Sequence, residues 1–144
     1  MKTLLLIVSL LIVVIAFVVL QGRVSSIASS GAEISGIDWR PVSVRGVELP
    51  EDSGMRIRFE IDGSISGHAG CNSFFGSLQQ TESGVEVGPL GATRMACPDA
   101  IMKLETAFLQ AVQETKSFAT DKTGMSLLGE DGTILATFTD APGD

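Results

Sequence analysis

Met55-Arg56-Ile57-Arg58-Phe59-Glu60-Ile61-Asp62 alternates apolar with charged side chains at every step. Successive side chains of an extended chain point to opposite faces, so this stretch predicts a strand with one face in a core and the other in water. Asp62-Gly63 then predicts a turn, and Ser64 to Gly67 starts the returning strand of a hairpin. A period of two decides the class: the domain is read as built from short antiparallel strands.

The same period extends to either side. Trp39 to Val47, Ser73 to Gln79 and Val85 to Leu90 read as strands, each bounded by Gly, Pro, Ser or Asp. Met125 to Leu128 and Thr133 to Thr139 flank Gly129-Glu130-Asp131-Gly132, a second hairpin signal, with Ile134, Ala136 and Phe138 expected on one face. One segment departs from the pattern. Ile101, Leu104, Ala107, Phe108, Ala111 and Val112 recur at spacings of three and four, which predicts a helix from about Asp99 to Lys116. Pro98 suits the first helical position, where its missing N–H is not needed, and Asp99 complements the positive end of the helix dipole. One helix among seven or eight strands is too little for a doubly wound α/β sheet. The expected fold is mainly β (α+β): a curved antiparallel sheet or barrel closed or plugged by the helix, which hides strand edges from solvent.

The N-terminus is a different material. Leu4 to Leu20 is apolar apart from Ser9 and is closed by Gln21, Gly22 and Arg23. As a helix, at about 1.5 Å per residue, it would reach about 26 Å, the lower edge of a bilayer span and longer than the apolar part of most cleaved signals. Residues 1–23 are therefore read as a retained transmembrane signal anchor. A signal cleaved after the small residues at Ser26-Ile27-Ala28 is the alternative. No Cys follows the run, which excludes lipid attachment of the lipoprotein type. Lys2 precedes the span and Arg23 follows it, a slight bias toward an inside N-terminus and an outside domain. Residues 24–36, rich in Ser, Gly and Ala, read as a flexible linker, and residues 37–144 as one domain.

Residues 1–32 hold two basic and no acidic side chains, leaving eight basic against 17 acidic beyond them, a formal charge of −9. That balance argues against nucleic acid as a partner, since polyanion binding draws on clustered Lys and Arg. Here only Arg56 and Arg58 lie close together in sequence. The same charge would repel the domain from anionic headgroups.

No stretch announces catalysis. There is no phosphate-binding Gly-rich loop followed by Lys, no Gly-x-Ser-x-Gly and no His-Glu-x-x-His. His68 lies three residues before Cys71, an offset that places the two on opposite faces of a strand and argues against a Cys–His dyad. A zinc site from His68, Cys71, Cys97 and Asp99 lacks the paired close ligand spacing that structural zinc prefers. The expectation is therefore no catalytic residue, no cofactor and no metal.

Two segments carry a family resemblance: Gly-Cys-Asn-Ser-Phe-Phe-Gly at Gly70 to Gly76 and Ala-Thr-Arg-Met-Ala-Cys-Pro at Ala92 to Pro98. Together with Trp39, the Phe59 to Gly67 hairpin, Glu105 and Phe108 on the helix, and the closing Leu127 to Phe138 hairpin, they resemble the META domain family, which includes the HslJ-like heat-shock proteins. The resemblance runs from about Asp38 to Phe138. It implies a mainly β, barrel-like domain with one helix, found in bacterial envelope proteins and linked to heat shock and antibiotic tolerance. Many members are lipoproteins, whereas this chain has an apolar leader, which leaves its membrane of residence open.

Each motif holds one of the two cysteines. Cys71 and Cys97 could pair in an oxidising compartment, could remain two buried thiols, or could leave Cys97 as a reactive thiol at a helix N-terminus. Asn72 reads as a bend residue. Arg94 either satisfies carbonyls within its loop or meets an anionic partner. Phe74, Phe75, Arg94 and Met95 are candidate partner contacts if their loops are exposed, and core if they are buried.

The functional expectation is a membrane-tethered, non-enzymatic envelope module that binds an envelope protein or small ligand, or steadies envelope components during stress. It would sit in the bacterial inner membrane as a single-pass protein with its domain on the periplasmic side, or be secreted or periplasmic after cleavage. The alternative is an inhibitor or accessory domain that docks on a membrane enzyme or protease.

Overall fold

A computed structural model describes residues 33–140. The anchor read over 1–23, and the linker up to residue 32, lie outside the described residues. Among the described residues no helix is long and apolar enough to cross a membrane.

Among the described residues ten strands and one helix follow one another as β1 (Asp38–Val44), β2 (Val47–Glu48), β3 (Arg56–Phe59), β4 (Ser64–His68), β5 (Ser73–Thr81), β6 (Gly84–Val87), β7 (Gly91–Ala92), α1 (Asp99–Gln113), β8 (Ser117–Thr120), β9 (Met125–Leu128) and β10 (Ile134–Asp140). They form one antiparallel sheet in the order β6-β5-β4-β3-β1-β10-β9-β8, with β2 attached to β1 and β7 to β5. The alternating stretch forms β3 as expected, burying Met55, Ile57 and Phe59. It stops earlier than the alternation: Ile61 lies in the turn and is 89% exposed. Glu60 accepts the Gly63 N–H and donates its own N–H to Ser64, while Asp62 Oδ1 accepts from the Ser64 N–H and hydroxyl. These turn bonds replace the ladder before Ile61 can join it.

The last strand differs from its alternation in a second way. A bulge between Ile134 and Ala136 shifts the register against β9, so Leu135 and Ala136 are both buried and Ile134 is left 55% exposed. Strand β8 was not among the expected strands. Ser117-Phe118-Ala119-Thr120 offers a single large apolar residue, and pairing with β9 makes it a strand. Helix α1 ends at Gln113, three residues before the expected limit, and Pro98 caps it instead of occupying its first turn. The packed domain also begins before residue 37. Ile34 is fully buried and its carbonyl accepts the Trp39 indole N–H at 2.9 Å, so Ile34 is part of the core.

The sheet is strongly curved. Phe108 of α1 meets Phe74 of β5 edge-on at 5.8 Å and Phe138 of β10 at 6.2 Å, although those strands lie four places apart in the sheet. Burying each such ring contributes about 1.5–3 kcal/mol, so this aromatic centre fixes both the curvature and the seat of the helix.

The sheet does not close into a barrel. No ladder joins its two ends, β6 and β8. They are bridged instead by the segment leaving α1. Val85 donates to the Lys116 carbonyl at 2.8 Å, Lys116 donates to the Leu128 carbonyl at 2.8 Å, and the Gln113 side chain donates to the carbonyls of Val87 at 2.7 Å and Gly88 at 3.1 Å. The approach is close: a Cβ on Gly84, whose φ is +149°, would stand 2.2 Å from the Lys116 carbonyl oxygen. The Lys116 carbonyl and the Gln113 side chain take up hydrogen bonds at β6 that a neighbouring strand would otherwise make.

Candidate functional site

The two motif segments meet at the N-terminal half of α1. Cys71 and Cys97 form a disulfide with an S–S distance of 2.04 Å and Cα atoms 6.1 Å apart, across a separation of 26 residues. Between them Asn72, 2% exposed, is bonded in every direction. Its backbone N–H and Nδ2 donate to the two carboxylate oxygens of Glu105 at 2.7 and 2.8 Å. Nδ2 also donates to the Met95 carbonyl at 3.2 Å, while Oδ1 accepts the Met95 N–H at 2.7 Å and the Thr93 hydroxyl at 2.9 Å. Thr93 in turn bonds Ser73 through backbone and side chain.

The chemistry follows from burial. Glu105, 6% exposed, lies on the apolar stripe of α1 between Ile101 and Phe108, where an unpaired carboxylate is costly. Asn72 offers it two donors held by one residue, a charge-assisted fork. The arrangement staples helix, strand β5 and the loop after β7 to one point. Asn72 lies in the bend between β4 and β5, as expected, and is a hub as well; the positive dihedral of that bend falls on Gly70, at φ +101°. The signal that could have found the pair was Glu105 itself, an acid at a stripe position that required a buried donor.

The remaining motif residues separate. Phe74, 2% exposed, is core and is withdrawn as a partner contact. Phe75 and Met95 are 66% and 56% exposed, and Arg94 is exposed as well. Phe75 has a local task too: its ring lies over Gly91 of the facing strand, where a Cβ would stand 2.6 Å from the ring. Arg94 bonds no carbonyl of its loop among the described residues. His68 lies on the outer sheet face, opposite Arg56 on one side and Ser73 on the other, and its Nδ1 accepts the Gly70 N–H at 3.2 Å. Cys71, bonded to Cys97, carries no thiol for it. Among the described residues no group of three or more His, Cys, Asp and Glu side chains is placed to hold a metal ion.

Several depressions mark the surface. One of about 460 Å³ lies at the gap between β6 and β8, lined by Thr81, Val85, Glu86, Lys116, Ser117 and Glu130 among others. Another, of about 250 Å³, lies on the outer sheet face among Asp38, Arg56, Arg58, Ser66 and Ser73.

Known structures share this architecture. An NMR structure of a protein from Burkholderia xenovorans matches with a TM-score of 0.62 and 21% identity, over 81% of this chain and 89% of that one. A crystal structure of a DUF4847 family protein from Bacteroides vulgatus matches with a TM-score of 0.57 and 15% identity, over 78% and 98%. At these identities the likeness is one of fold. No curated protein matches the chain. The META domain model, however, matches residues 32–142, a span that takes in every strand, the helix and both motif segments, and the chain belongs to the META domain family.

Proposed function

We infer that this is a membrane-tethered, non-enzymatic envelope module of the HslJ-like kind, which binds an envelope protein or small ligand, or steadies envelope components, under stress. The observation that carries the reading is the Asn72–Glu105 pair. The buried polar groups of the motifs, Asn72 and Thr93, are bonded to each other, to Met95 and to Glu105, which supports a scaffold role for them and leaves recognition to exposed groups. A disulfide between the motifs suits an oxidising compartment outside the cytoplasm, and the apolar run Leu4 to Leu20 supplies a tether in the inner membrane. Phe75, Arg94 and Met95 remain as the exposed contact candidates.

The test places a photocrosslinking side chain at Phe75 or Met95 of the full chain in heat-stressed bacterial cells, with Lys122 as a distant control. The reading expects a discrete envelope adduct from Phe75 and Met95 and none from Lys122, in the membrane fraction and at the mass of the uncleaved, oxidised chain. Identical adducts from all three positions, or a soluble reduced protein in the cytoplasm, would overturn it. A membrane enzyme or protease as the captured partner would mark the domain as an inhibitor or accessory module.

A further inference from the structure

We propose that the outer sheet face around Arg40, Arg56, His68 and Ser73 is a binding site for a phosphate group. This inference stands apart from the membrane and stress reading, since it rests on the register of the sheet and the groups on its outer face.

Asp38 faces Arg58 and Trp39 faces Ile57 across β1 and β3, and the same register carried two residues along sets Arg40 beside Arg56 on the outer face. Arg56 faces His68, and His68 faces Ser73. On the far side Arg40 faces Thr139. Five strands thus present Thr139, Arg40, Arg56, His68 and Ser73 in one cross-strand row that holds no carboxylate. Residues directly opposite across strands lie about 4.5–5.5 Å apart at Cβ, and like charges so placed destabilise the pairing.

The neighbouring row shows how the same sheet treats a cation it means to neutralise. Arg58 donates to Glu60 at 2.7 Å and to Asp38 at 3.1 Å. Arg40 and Arg56 have no such partner among the described residues, in a domain with 17 carboxylates to draw on. An uncompensated pair of guanidinium groups in an acidic protein is the arrangement an external anion would complete.

The surrounding groups are donors. His68 Nδ1 is occupied as acceptor of the Gly70 N–H, so the neutral ring carries its proton on Nε2 and can donate it. Ser66 and Ser73, which line the depression of about 250 Å³ beside Arg56, have hydroxyls engaged by no other side chain among the described residues. Asp38, the acid in that depression, is held by Arg58. Arg56, Ser66 and Ser73 line the depression, and Arg40 and His68 flank Arg56 in the cross-strand row outside it; a guanidinium fork and hydroxyls there, with a second guanidinium and an imidazole beside them, suit a tetrahedral oxyanion, and a phosphate group fits the volume. The group could reach the site as a free phosphate or on an anionic lipid headgroup.

The experiment uses the full chain, labelled with nitrogen-15, in zwitterionic detergent micelles. Sodium phosphate is titrated against sodium chloride at equal ionic strength while the Arg40 and Arg56 side-chain Nε–H signals and the His68 and Ser73 amides are followed. A second series replaces the micelles by bicelles with and without phosphatidylglycerol. The proposal expects saturable shifts at these positions, at least tenfold weaker in Arg56→Gln and in Arg40→Gln and unchanged in Arg45→Gln, with the dispersed spectrum of each variant reporting its fold. Saturation with free phosphate assigns a soluble ligand, and saturation only with phosphatidylglycerol assigns a headgroup. Shifts that follow ionic strength whatever the anion, or that persist undiminished in both Arg40→Gln and Arg56→Gln, would overturn it.

Discussion

Asn72 grips both carboxylate oxygens of Glu105 at once, one through its backbone N–H at 2.7 Å and the other through Nδ2 at 2.8 Å. The two residues lie 33 positions apart, and the bond ties the loop after β4 to the second turn of α1. Because both are buried, neither can exchange its partner for water.

Removing either side should therefore cost more than an ordinary hydrogen bond. Glu105→Gln puts an amide N–H against one of the Asn72 donors, and a buried donor left unpaired costs about 1–3 kcal/mol. Asn72→Ala keeps the backbone N–H on one carboxylate oxygen but removes the Nδ2 donor from the other and the acceptor of the Met95 N–H, for which about 1–3 kcal/mol per buried group left unpaired is expected. Urea unfolding of both variants checks this. Midpoints within error of the parent would show that the pair is not a staple.

The disulfide holds the same junction by another means. A closed loop of this length restricts the unfolded chain by about 3–3.5 kcal/mol in the chain-entropy model, and the Cys71→Ala, Cys97→Ala double variant should lose about that much. Because Asn72 and Glu105 stand in contact with the cystine loop, the cost of Asn72→Ala should change when the disulfide is absent. A double-mutant cycle measures that coupling, and strict additivity would separate the two devices.

Much of this architecture was legible in the sequence, and the failures have physical causes. Alternation located β3 and β4, and the three-and-four spacing located α1, since both signals are local. Ile61 and Ile134 misled because alternation continues past the point where turn bonds or a bulge redirect the chain. Ser117 to Thr120 was missed because β8 owes its form to β9, not to its own side chains. Phe74 and Phe75 read alike in sequence, and only the register of β5 sends one into the core and the other over Gly91. The basic row escaped for the same reason: Arg40 and Arg56 lie 16 residues apart in the chain, and only the β1–β3 register, continued one step past Trp39 and Ile57, brings them together.

Where the two sheet ends meet, Gly84 should be the most sensitive position. Gly84→Ala forces a Cβ against the Lys116 carbonyl in a dihedral region L-residues avoid, a strain of about 1–3 kcal/mol to which the loss of the Val85–Lys116 bond adds. Gly46 serves as the control. It also has a positive φ, +76°, but nothing stands within 4 Å of its Cβ position, so Gly46→Ala should cost only the backbone term of about 1–2 kcal/mol. Hydrogen exchange gives a sharper readout. The Val85 amide should lose protection in Gly84→Ala and keep it in Gly46→Ala.

Acid sensitivity should originate in three turns. Asp62, Asp121 and Asp131 are each held below the ordinary carboxylate value of 3.8, chiefly by the hydroxyl two residues on, at Ser64, Thr123 and Thr133, and then by that residue's backbone N–H. A carboxylate whose folded pKa lies below its unfolded one stabilises the fold above the unfolded value, and that contribution fades as pH falls through about 4 toward the folded pKa. The melting temperature should thus be insensitive to these groups above about pH 5 and fall below about pH 4. Replacing each Asp by Asn keeps an oxygen acceptor but removes the charge, so the triple variant should be less stable than the parent at pH 7 and show a shallower acid decline. All three groups are exposed, so 0.5 M salt should weaken only the part of the effect that comes from charge and leave the hydrogen-bonded part. A parent and triple variant with parallel curves from pH 7 to 3 would place the acid response in other carboxylates.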